Sequence, residues 1–217
     1  GNTSSVGTIE FMTGVTKTSG LDQTLTLRSS RHIFFEEPAG GSLRSTQGKL
    51  NVVFWTDTDA DANGGVMLDG PVSGYLIDTN GGHLAIGGGD TSEIWNGLTI
   101  PSGYSASDQD KGSMWWGIEL GVNQARSNMQ LIRTLGGNLR MYSEANEATG
   151  VSHLYGLAWE GGEINTGSGS VEINARTVGN PSTSSNANHG VAIGANYQSS
   201  ADAPKLISTG GVTITGT

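Results

Sequence analysis

The chain of 217 residues contains no cysteine, and charged residues make up only 14% of it. Without cysteine, neither disulfide bonds nor thiol chemistry can contribute to the fold or the function. The low charge content argues against a disordered polyanion, because such chains combine many charges with few apolar residues. The formal net charge is −9. Phosphate binding requires clustered lysine and arginine, so we expect no nucleic-acid partner.

Long apolar runs and helical patterns are also missing. No run approaches the roughly 20 residues that a membrane span requires, so we expect no membrane insertion. The longest stretch that is poor in glycine, 117–133, alternates Ile118, Leu120 and Val122 at a period of two, which favours a strand. Glycine, by contrast, is abundant at 35 residues, more than twice its usual share of about 7%.

Short strands are predicted along the whole chain, bracketed by Gly, Asn, Asp or Ser, the residues that favour turns. They cover residues 25–27, 32–35, 50–55, 66–68, 84–86, 139–141, 171–173 and 212–214.

Two short motifs alternate along these strands. The first is Ser or Thr, a spacer, usually a glycine pair, another spacer and then two apolar residues separated by one position. It occurs as TNGGHLAI (79–86), TLGGNLRM (134–141) and TGSGSVEI (166–173), with looser copies STQGKLNV (45–52) and STGGVTI (208–214). The second is glycine followed by the same apolar pair, as GVML (65–68), GIEL (117–120), GLAW (156–159) and GVAI (190–193).

The alternation predicts a solenoid formed by the whole chain, 1–217, as a single domain. One unit has too few apolar residues to close a core, whereas stacked coils of roughly 20 residues would bury continuous apolar columns. About ten such coils would form a rod on the order of 50 Å long. A β-sandwich would show longer strands and hairpin turns, and a propeller would show more regular repeats.

The order of these motifs resembles the filamentous haemagglutinin-type large exoproteins of Gram-negative bacteria, the passengers of two-partner secretion. The stretches that bear the resemblance are LTLRSSRHIFF (25–35), GGSLRSTQGKLNVVFWTDTDADANGGVML (40–68), DTNGGHLAIGGG (78–89), TGSGSVEINA (166–175) and HGVAIGANYQSSADAPKLISTGGVTITGT (189–217). The resemblance implies an all-β fold, a right-handed parallel β-helix. This chain resembles an internal repeat segment of such a protein.

The resemblance also implies a function and a location. Members of the family act mainly as adhesins or as stalks, so we expect a non-enzymatic segment, secreted or at the cell surface of a Gram-negative bacterium. Its partners would be an outer-membrane transporter during secretion and a surface glycan or receptor. Residues 90–115 and 142–155 depart most from the pattern, and 90–115 is interpreted as an inserted loop, a usual place for recognition. Open solenoid ends predict end-to-end self-association.

The stretch TDTDADANGG (56–65) lies between two predicted strands and spaces its acidic residues by two. Asp57, Asp59, Asp61 and Asn63 offer oxygen atoms of the kind that calcium prefers. The stretch lacks the glycine and the glutamate of an EF-hand loop. The alternative is a solvated turn rich in Asp and Asn that blocks edge pairing. Calcium here is the one cofactor that the sequence suggests.

Four aromatic residues are candidates for ligand binding. Trp95 and Tyr104 lie within segment 90–115, and Trp115 and Trp116 follow at its end. Adjacent residues of a strand face opposite sides, so one of the two neighbouring tryptophans should lie outside the core. Together these side chains could stack on sugar rings. The alternative is that Trp95 and Tyr104 anchor the inserted segment to the solenoid.

Catalysis is the second functional class, since parallel β-helices also include polysaccharide lyases and hydrolases. Such enzymes need clustered carboxylates with a base or a metal. Asn188-His189-Gly190 is faintly similar to an element of polygalacturonases, but the acidic segments that should accompany it are missing. The four histidines, at positions 32, 83, 153 and 189, stand alone in the sequence, and no GxSxG motif is present. A carbohydrate-binding module is the third alternative.

Overall fold

The computed structural model describes residues 7–35, 41–69, 74–108, 116–121, 129–146, 153–179, 187–194 and 203–217. These residues contain strands, turns and no helix. The strands form three parallel sheets whose members follow one another in chain order. The predicted fold class, an all-β parallel β-helix, is therefore confirmed.

Each sheet forms one face of the solenoid and takes one strand from every coil. Sheet 1 contains β1 (Ile9–Glu10), β4 (Ile33–Phe35), β7 (Val66–Leu68), β12 (Trp116–Leu120), β15 (His153–Trp159) and β18 (Ala187–Ile193). Sheet 2 contains β2 (Gly14–Lys17), β5 (Ser42–Ser45), β8 (Ile77–Asp78), β13 (Gln130–Arg133), β16 (Glu163–Gly167) and β19 (Lys205–Ser208). Sheet 3 contains β3 (Gln23–Arg28), β6 (Leu50–Thr56), β9 (Leu84–Trp95), β14 (Leu139–Asn146), β17 (Val171–Val178) and β20 (Val212–Gly216). Two further strands, β10 (Leu98–Gly103) and β11 (Ser105–Asp108), pair with β9 and β14.

The described strands thus make six coils of three strands each, and the prediction of about ten shorter coils is wrong. The coils also differ in length, since Ile9 pairs with Ile33 whereas Val66 pairs with the much more distant Ile118. The two sequence motifs belong to different faces of the same coil, because the glycine-led strands form sheet 1 and the Ser/Thr-led strands form sheet 3. Six coils rise about 25 to 30 Å, half of the predicted length.

The core lies inside the coil and is built from columns of aliphatic residues in register. Leu84, Leu139 and Val171 form one such column through successive strands of sheet 3. All three are at most 1% exposed. Because the strands are in register, each side chain packs on its equivalent in the coil above and below, and the lumen is filled by a single large cluster.

The chain turns from sheet 2 to sheet 3 within three to five residues in every coil, and we call this connection the tight corner. The hydroxyl of Thr79 donates to the carbonyl of Gly82 at 2.6 Å, and the hydroxyl of Thr166 donates to that of Gly169 at 2.8 Å. Thr134 makes the same bond to Gly137. The repeated Ser/Thr of the first motif is therefore a buried side chain that closes this turn.

Glycine is needed at the tight corner because the backbone of the neighbouring coil leaves no space for a side chain there. A Cβ atom on Gly137 would lie 1.9 Å from the carbonyl oxygen of Gly82, and one on Gly169 would lie 2.0 Å from that of Gly137. No real Cβ contact is so short. The second glycine of the motif thus forms a column with no room for any side chain.

Candidate functional site

The connection from sheet 3 to sheet 1 of the next coil, here called the variable corner, holds the residues that the sequence singles out. It takes residues 29–32 in the first coil and 57–65 in the second. In the third coil it contains segment 90–115, which the sequence analysis interprets as an inserted loop. Residues 109–115 of that segment, including Trp115, lie outside the described residues.

The acidic turn, 57–63, begins where β6 ends. Asp57, Ala60 and Ala62 have φ values of 50°, 55° and 62°, in the left-handed region. The amide of Ala60 donates to the carbonyl of Asp57 at 2.9 Å, and the amide of Asn63 donates to the Asp57 carboxylate at 3.3 Å. The turn therefore folds back on Asp57 and bonds to both its carbonyl and its carboxylate.

Neighbouring coils hold the acidic turn in place. The carbonyl of Asp57 accepts from the amide of Gly89 at 3.1 Å, in the coil above. The amide of Thr58 donates to the carbonyl of Ser29 in the coil below at 3.2 Å. Gly64 closes the turn, and a Cβ atom there would lie 2.4 Å from the amide nitrogen of Asp57. The turn thus has little room to rearrange.

Three carboxylates meet at this turn. Asp57, Asp59 and Asp61 each place a carboxylate oxygen within 4.8 Å of the others. Asp57 is only 3% exposed, whereas the other two are exposed. Burial raises the pKa of Asp57 to about 7, and the nearby charges of Asp61 and Asp59 act in the same direction, while the amide of Asn63 opposes them. The charged form of Asp57 is therefore unfavourable unless a cation neutralises it.

The geometry agrees with the oxygen ligands of a calcium site but does not complete one. Calcium takes six to eight oxygens, and the three aspartates supply one each in this arrangement. Asn63 is buried, and its side-chain oxygen has no hydrogen-bond partner among the described residues. Calcium binding therefore stays a prediction beside the alternative of a solvated turn.

Part of segment 90–115 forms a hairpin arm, residues 88–103, that extends from sheet 3. β10 pairs antiparallel with the second half of β9, with Leu98 opposite Trp95 and Gly103 opposite Gly88. The turn residues Asn96 and Gly97 have φ values of 48° and 76°. Asn-Gly with two positive φ values is the two-residue turn that matches strand twist. The Asn-Gly dipeptide therefore indicates a hairpin where only an inserted loop was expected.

The hairpin arm folds over the outer face of sheet 3. Leu98 and Ile100 pack against Val53 and Ala85, whose neighbours in the strands face the lumen. Glu93 forms an ion pair with Arg140 of the next coil, with nitrogen and oxygen 2.7 Å apart. The arm is thus attached to three consecutive strands of the sheet. Its tip still presents Ile94, which is 71% exposed.

The described aromatic candidates lie in three different contact groups. Trp95 meets His83 edge to face, with ring centroids 5.6 Å apart. Tyr104 stacks on Tyr142 at 5.7 Å, and Trp116 lies against Tyr155 at 6.1 Å. Trp95 and Tyr104 stand at opposite ends of β10, a strand of six residues, or about 17 Å. Each ring is bound to the scaffold, as anchoring residues would be, and a ligand platform stays a prediction.

Residues that the sequence analysis missed surround Tyr104. The guanidinium of Arg176 lies 4.2 Å from the centre of its ring, and that of Arg140 lies 3.9 Å from the ring of Tyr142. The Tyr142 hydroxyl donates to Glu172 at 2.7 Å. These residues come from β14 and β17, so only their register in sheet 3 brings them to the arm.

The described histidines act as acceptors or stacking residues. Nδ1 of His32 accepts from the amide of Gly65 at 3.0 Å, and Nδ1 of His83 accepts from that of Asn138 at 2.9 Å. Burial lowers the pKa of His32 to about 4, with Arg31 adding to the effect. His189 stacks on Tyr155 with centroids 5.6 Å apart. The side chain of His153 lies outside the described residues.

Comparison with models of known families, with curated proteins and with solved structures finds no match to this chain. Within the described ranges, no helix is long and apolar enough to cross a membrane.

Proposed function

We propose that this chain is a non-enzymatic segment of a filamentous haemagglutinin-type surface exoprotein. It serves as a stiff adhesin stalk that holds recognition loops away from a Gram-negative cell. The observation that supports this role is the strand pairing, in which each of the three faces takes one strand from every coil through six coils.

Stiffness follows from how the coils are joined. β14 and β17 alone share eight paired positions, and each inward residue packs on its equivalent in the next coil. Bending the stack would break hydrogen bonds between paired strands and would also separate the side chains that fill the lumen. Such a rod suits the task of holding a binding surface at a distance.

Recognition is assigned to the variable corner. The acidic turn and the hairpin arm both lie there, on neighbouring coils, and the amide of Gly89 in the arm donates to the carbonyl of Asp57 in the turn at 3.1 Å. Loops on a rigid scaffold can vary without disturbing the core. Near the arm tip, the side chain of Ile94 is 71% exposed and is therefore accessible to a partner.

The chemistry of the buried polar groups supports a structural role. The hydroxyls of Thr79, Thr134 and Thr166 donate to backbone carbonyls, so they are committed to the tight corner. Nδ1 of His32 and of His83 each accept a backbone amide. These groups complete turns and strand connections, which leaves them poorly placed as nucleophiles or bases.

Binding assays on immobilised glycans and cultured cells test the proposal. The chain coupled to beads should be retained in a concentration-dependent way, and Ile94→Lys should reduce retention at least tenfold. Gly211→Ala is the matched control, because a Cβ atom there meets nothing within 4 Å.

A parallel incubation with acidic polysaccharides addresses the enzymatic alternative. We expect no new reducing ends and no unsaturated products. Turnover that disappears in Asp59→Ala or His189→Ala would contradict the proposal and support a polysaccharide-active enzyme.

A further inference from the structure

The asparagine at the tip of the hairpin arm is followed by glycine, a neighbour whose missing side chain leaves the backbone between them easy to attack from the asparagine side chain. The sequence contains three such Asn-Gly pairs, at residues 63–64, 80–81 and 96–97. All three lie in connections between described strands. Because the three dipeptides are chemically identical, any difference in their reactivity comes from the fold.

The reaction of an Asn-Gly pair with water begins at the backbone amide of the glycine. Its nitrogen, after losing its proton to the solvent, attacks the side-chain carbon Cγ of the asparagine. A new C–N bond closes a succinimide ring, and the side-chain nitrogen takes up a proton and leaves as ammonia. Water then opens the ring at one of its two carbonyls, which yields either aspartate or isoaspartate. In isoaspartate the backbone runs through the former side chain and is one carbon longer.

The fold withholds the attacking nitrogen at two of the three pairs. The amide of Gly64 donates to the carbonyl of Ala106 at 2.7 Å, and the amide of Gly81 donates to the carbonyl of Thr134 at 2.7 Å. Asn63 is in addition only 4% exposed. Attack at either pair would first have to break a backbone hydrogen bond that holds the turn in place.

The pair at the arm tip is left open. Asn96 and Gly97 are both exposed, and a Cβ atom on Gly97 would meet nothing within 4 Å. The amide of Gly97 makes no hydrogen bond in the part of the chain that the structure describes. Water therefore reaches both residues, and no hydrogen bond has to be broken before the nitrogen attacks.

We propose that Asn96 is a site of spontaneous deamidation and that its isoaspartate product releases the hairpin arm from sheet 3. Isoaspartate adds a carbon to a turn that two left-handed residues now close between Trp95 and Leu98. The longer turn shifts the two strands of the arm against each other and displaces Leu98 from its contact with Val53 and Ala85. Aspartate, the other product, preserves the backbone and adds a negative charge at the tip.

Peptide mapping of the aged protein gives the first test. The folded chain is incubated in heavy-oxygen water at slightly alkaline pH and digested, and the three Asn-Gly peptides are measured by mass spectrometry. Conversion at Asn96 should be at least about tenfold faster than at Asn63 or Asn80. In concentrated urea, where no backbone bond protects an amide, the three rates should become similar, which would identify the fold as the cause of the difference.

Asn96→Gly is the matched variant, because a Gly-Gly pair also adopts the two positive φ values of this turn. The substitution removes the side chain that is attacked and should leave the rates at Asn63 and Asn80 unchanged. After ageing, the arm of the wild type should exchange its amide hydrogens at least about tenfold faster than in the fresh protein. The arm of aged Asn96→Gly should exchange at the rate of its fresh form.

Two outcomes would overturn the proposal. The first is conversion of Asn96 in the folded chain no faster than that of Asn63 or Asn80. The second is an aged wild type that contains isoaspartate in place of Asn96 and whose arm still exchanges like that of the fresh protein. Both measurements concern the arm itself, so they are independent of the stalk function, which is tested by retention on immobilised ligands.

Discussion

At the tight corner the chain turns within three to five residues in all six coils, whereas the variable corner takes residues 29–32 in the first coil and 57–65 in the second. The tight corner uses a buried hydroxyl and a glycine column, and its carbonyls lie against the next coil. The variable corner uses left-handed residues and a buried carboxylate, and it accepts a hairpin. The difference shows that a fixed, closely packed turn at one corner of the coil is compatible with large variation at another corner.

The largest loss of stability is expected from a substitution in the glycine column of the tight corner. Gly137→Ala should destabilise the chain by about 3 kcal/mol or more, because its Cβ atom would meet backbone that cannot move independently. The midpoint of urea unfolding measures this loss.

Gly211→Ala is the matched control for that column. Gly211 lies in the tight corner of the last coil but outside the column, and a Cβ atom there has open space. The substitution should change stability by no more than about 0.5 kcal/mol. Equal losses at the two positions would show that close approach of coils does not explain the column.

The threonine of the tight corner should come next in magnitude. Thr134→Val keeps the shape but removes the hydroxyl that bonds to Gly137, and it leaves a buried carbonyl without this donor. We expect a loss of about 1 to 3 kcal/mol in urea unfolding. Thr99→Val, on the exposed side of the hairpin arm, should have little effect; a similar loss there would point to valine itself as the cause.

One residue of the tight corner departs from the pattern, and replacing it should stabilise the chain. Leu135 has a φ of 53° and is 51% exposed, and its equivalent in the previous coil is Asn80, with a φ of 50°. A left-handed conformation is unfavourable for leucine by about 1 to 2 kcal/mol and milder for asparagine. Leu135→Asn should therefore stabilise the chain by about 1 kcal/mol, measured as a higher urea midpoint.

The reverse exchange is its control. Asn80→Leu should destabilise the chain by a similar amount, and it also removes the bond from the Asn80 side chain to the carbonyl of Gly48, 3.1 Å long. If neither Leu135→Asn nor Asn80→Leu changed the urea midpoint, the left-handed conformation would not be a source of strain at these positions.

At the variable corner we expect a pH dependence. Because the pKa of Asp57 is raised from 3.8 to about 7 in the folded protein, the native state retains the proton that the unfolded chain releases near pH 4. The contribution of Asp57 to the free energy of unfolding is therefore fully present below pH 4 and is lost as the pH rises through 7. Asparagine carries no charge at either pH. In the presence of chelator, the melting temperature of Asp57→Asn minus that of the wild type should therefore be larger at pH 8 than at pH 4.

Calcium separates the two interpretations of this turn. At pH 8 a calcium site would raise the melting temperature of the wild type and not that of Asp57→Asn, whereas a solvated turn would respond to neither addition nor removal of the ion. A difference between variant and wild type that does not change with pH would contradict the burial of the Asp57 charge.

Much of the fold could be predicted because its signals are local. All eight predicted strand segments fall within or overlap strands of sheets 1 and 3, and the alternation of Ile118 and Leu120 correctly indicated a strand. Sheet 2 was missed because its strands, with inward residues such as Ile77, Ile132 and Ile164, lack the two apolar residues separated by one position that mark the other sheets. A signal was available, since each of these lies two residues before the Thr of the first motif.

The site was less predictable for a different reason. The spacing of Asp57, Asp59 and Asp61 correctly suggested converging carboxylates, but the turn that buries Asp57 is held by hydrogen bonds to Gly89 and Ser29 in other coils. The contact of Tyr104 with Arg176 likewise depends on register, because these two residues are far apart in the sequence.

The amino-acid order alone determined that the chain forms short strands and where many of them lie, because these features depend on the alternation of side chains within a few residues. Tertiary structure decided that three strands complete a coil and that the acidic turn and the hairpin arm meet at the same corner of neighbouring coils. It also decided which acidic residue is buried. Pairing between strands that are distant in the sequence, such as those of Val66 and Ile118, selects these features, since hydrogen bonds and apolar columns form only when whole coils are stacked.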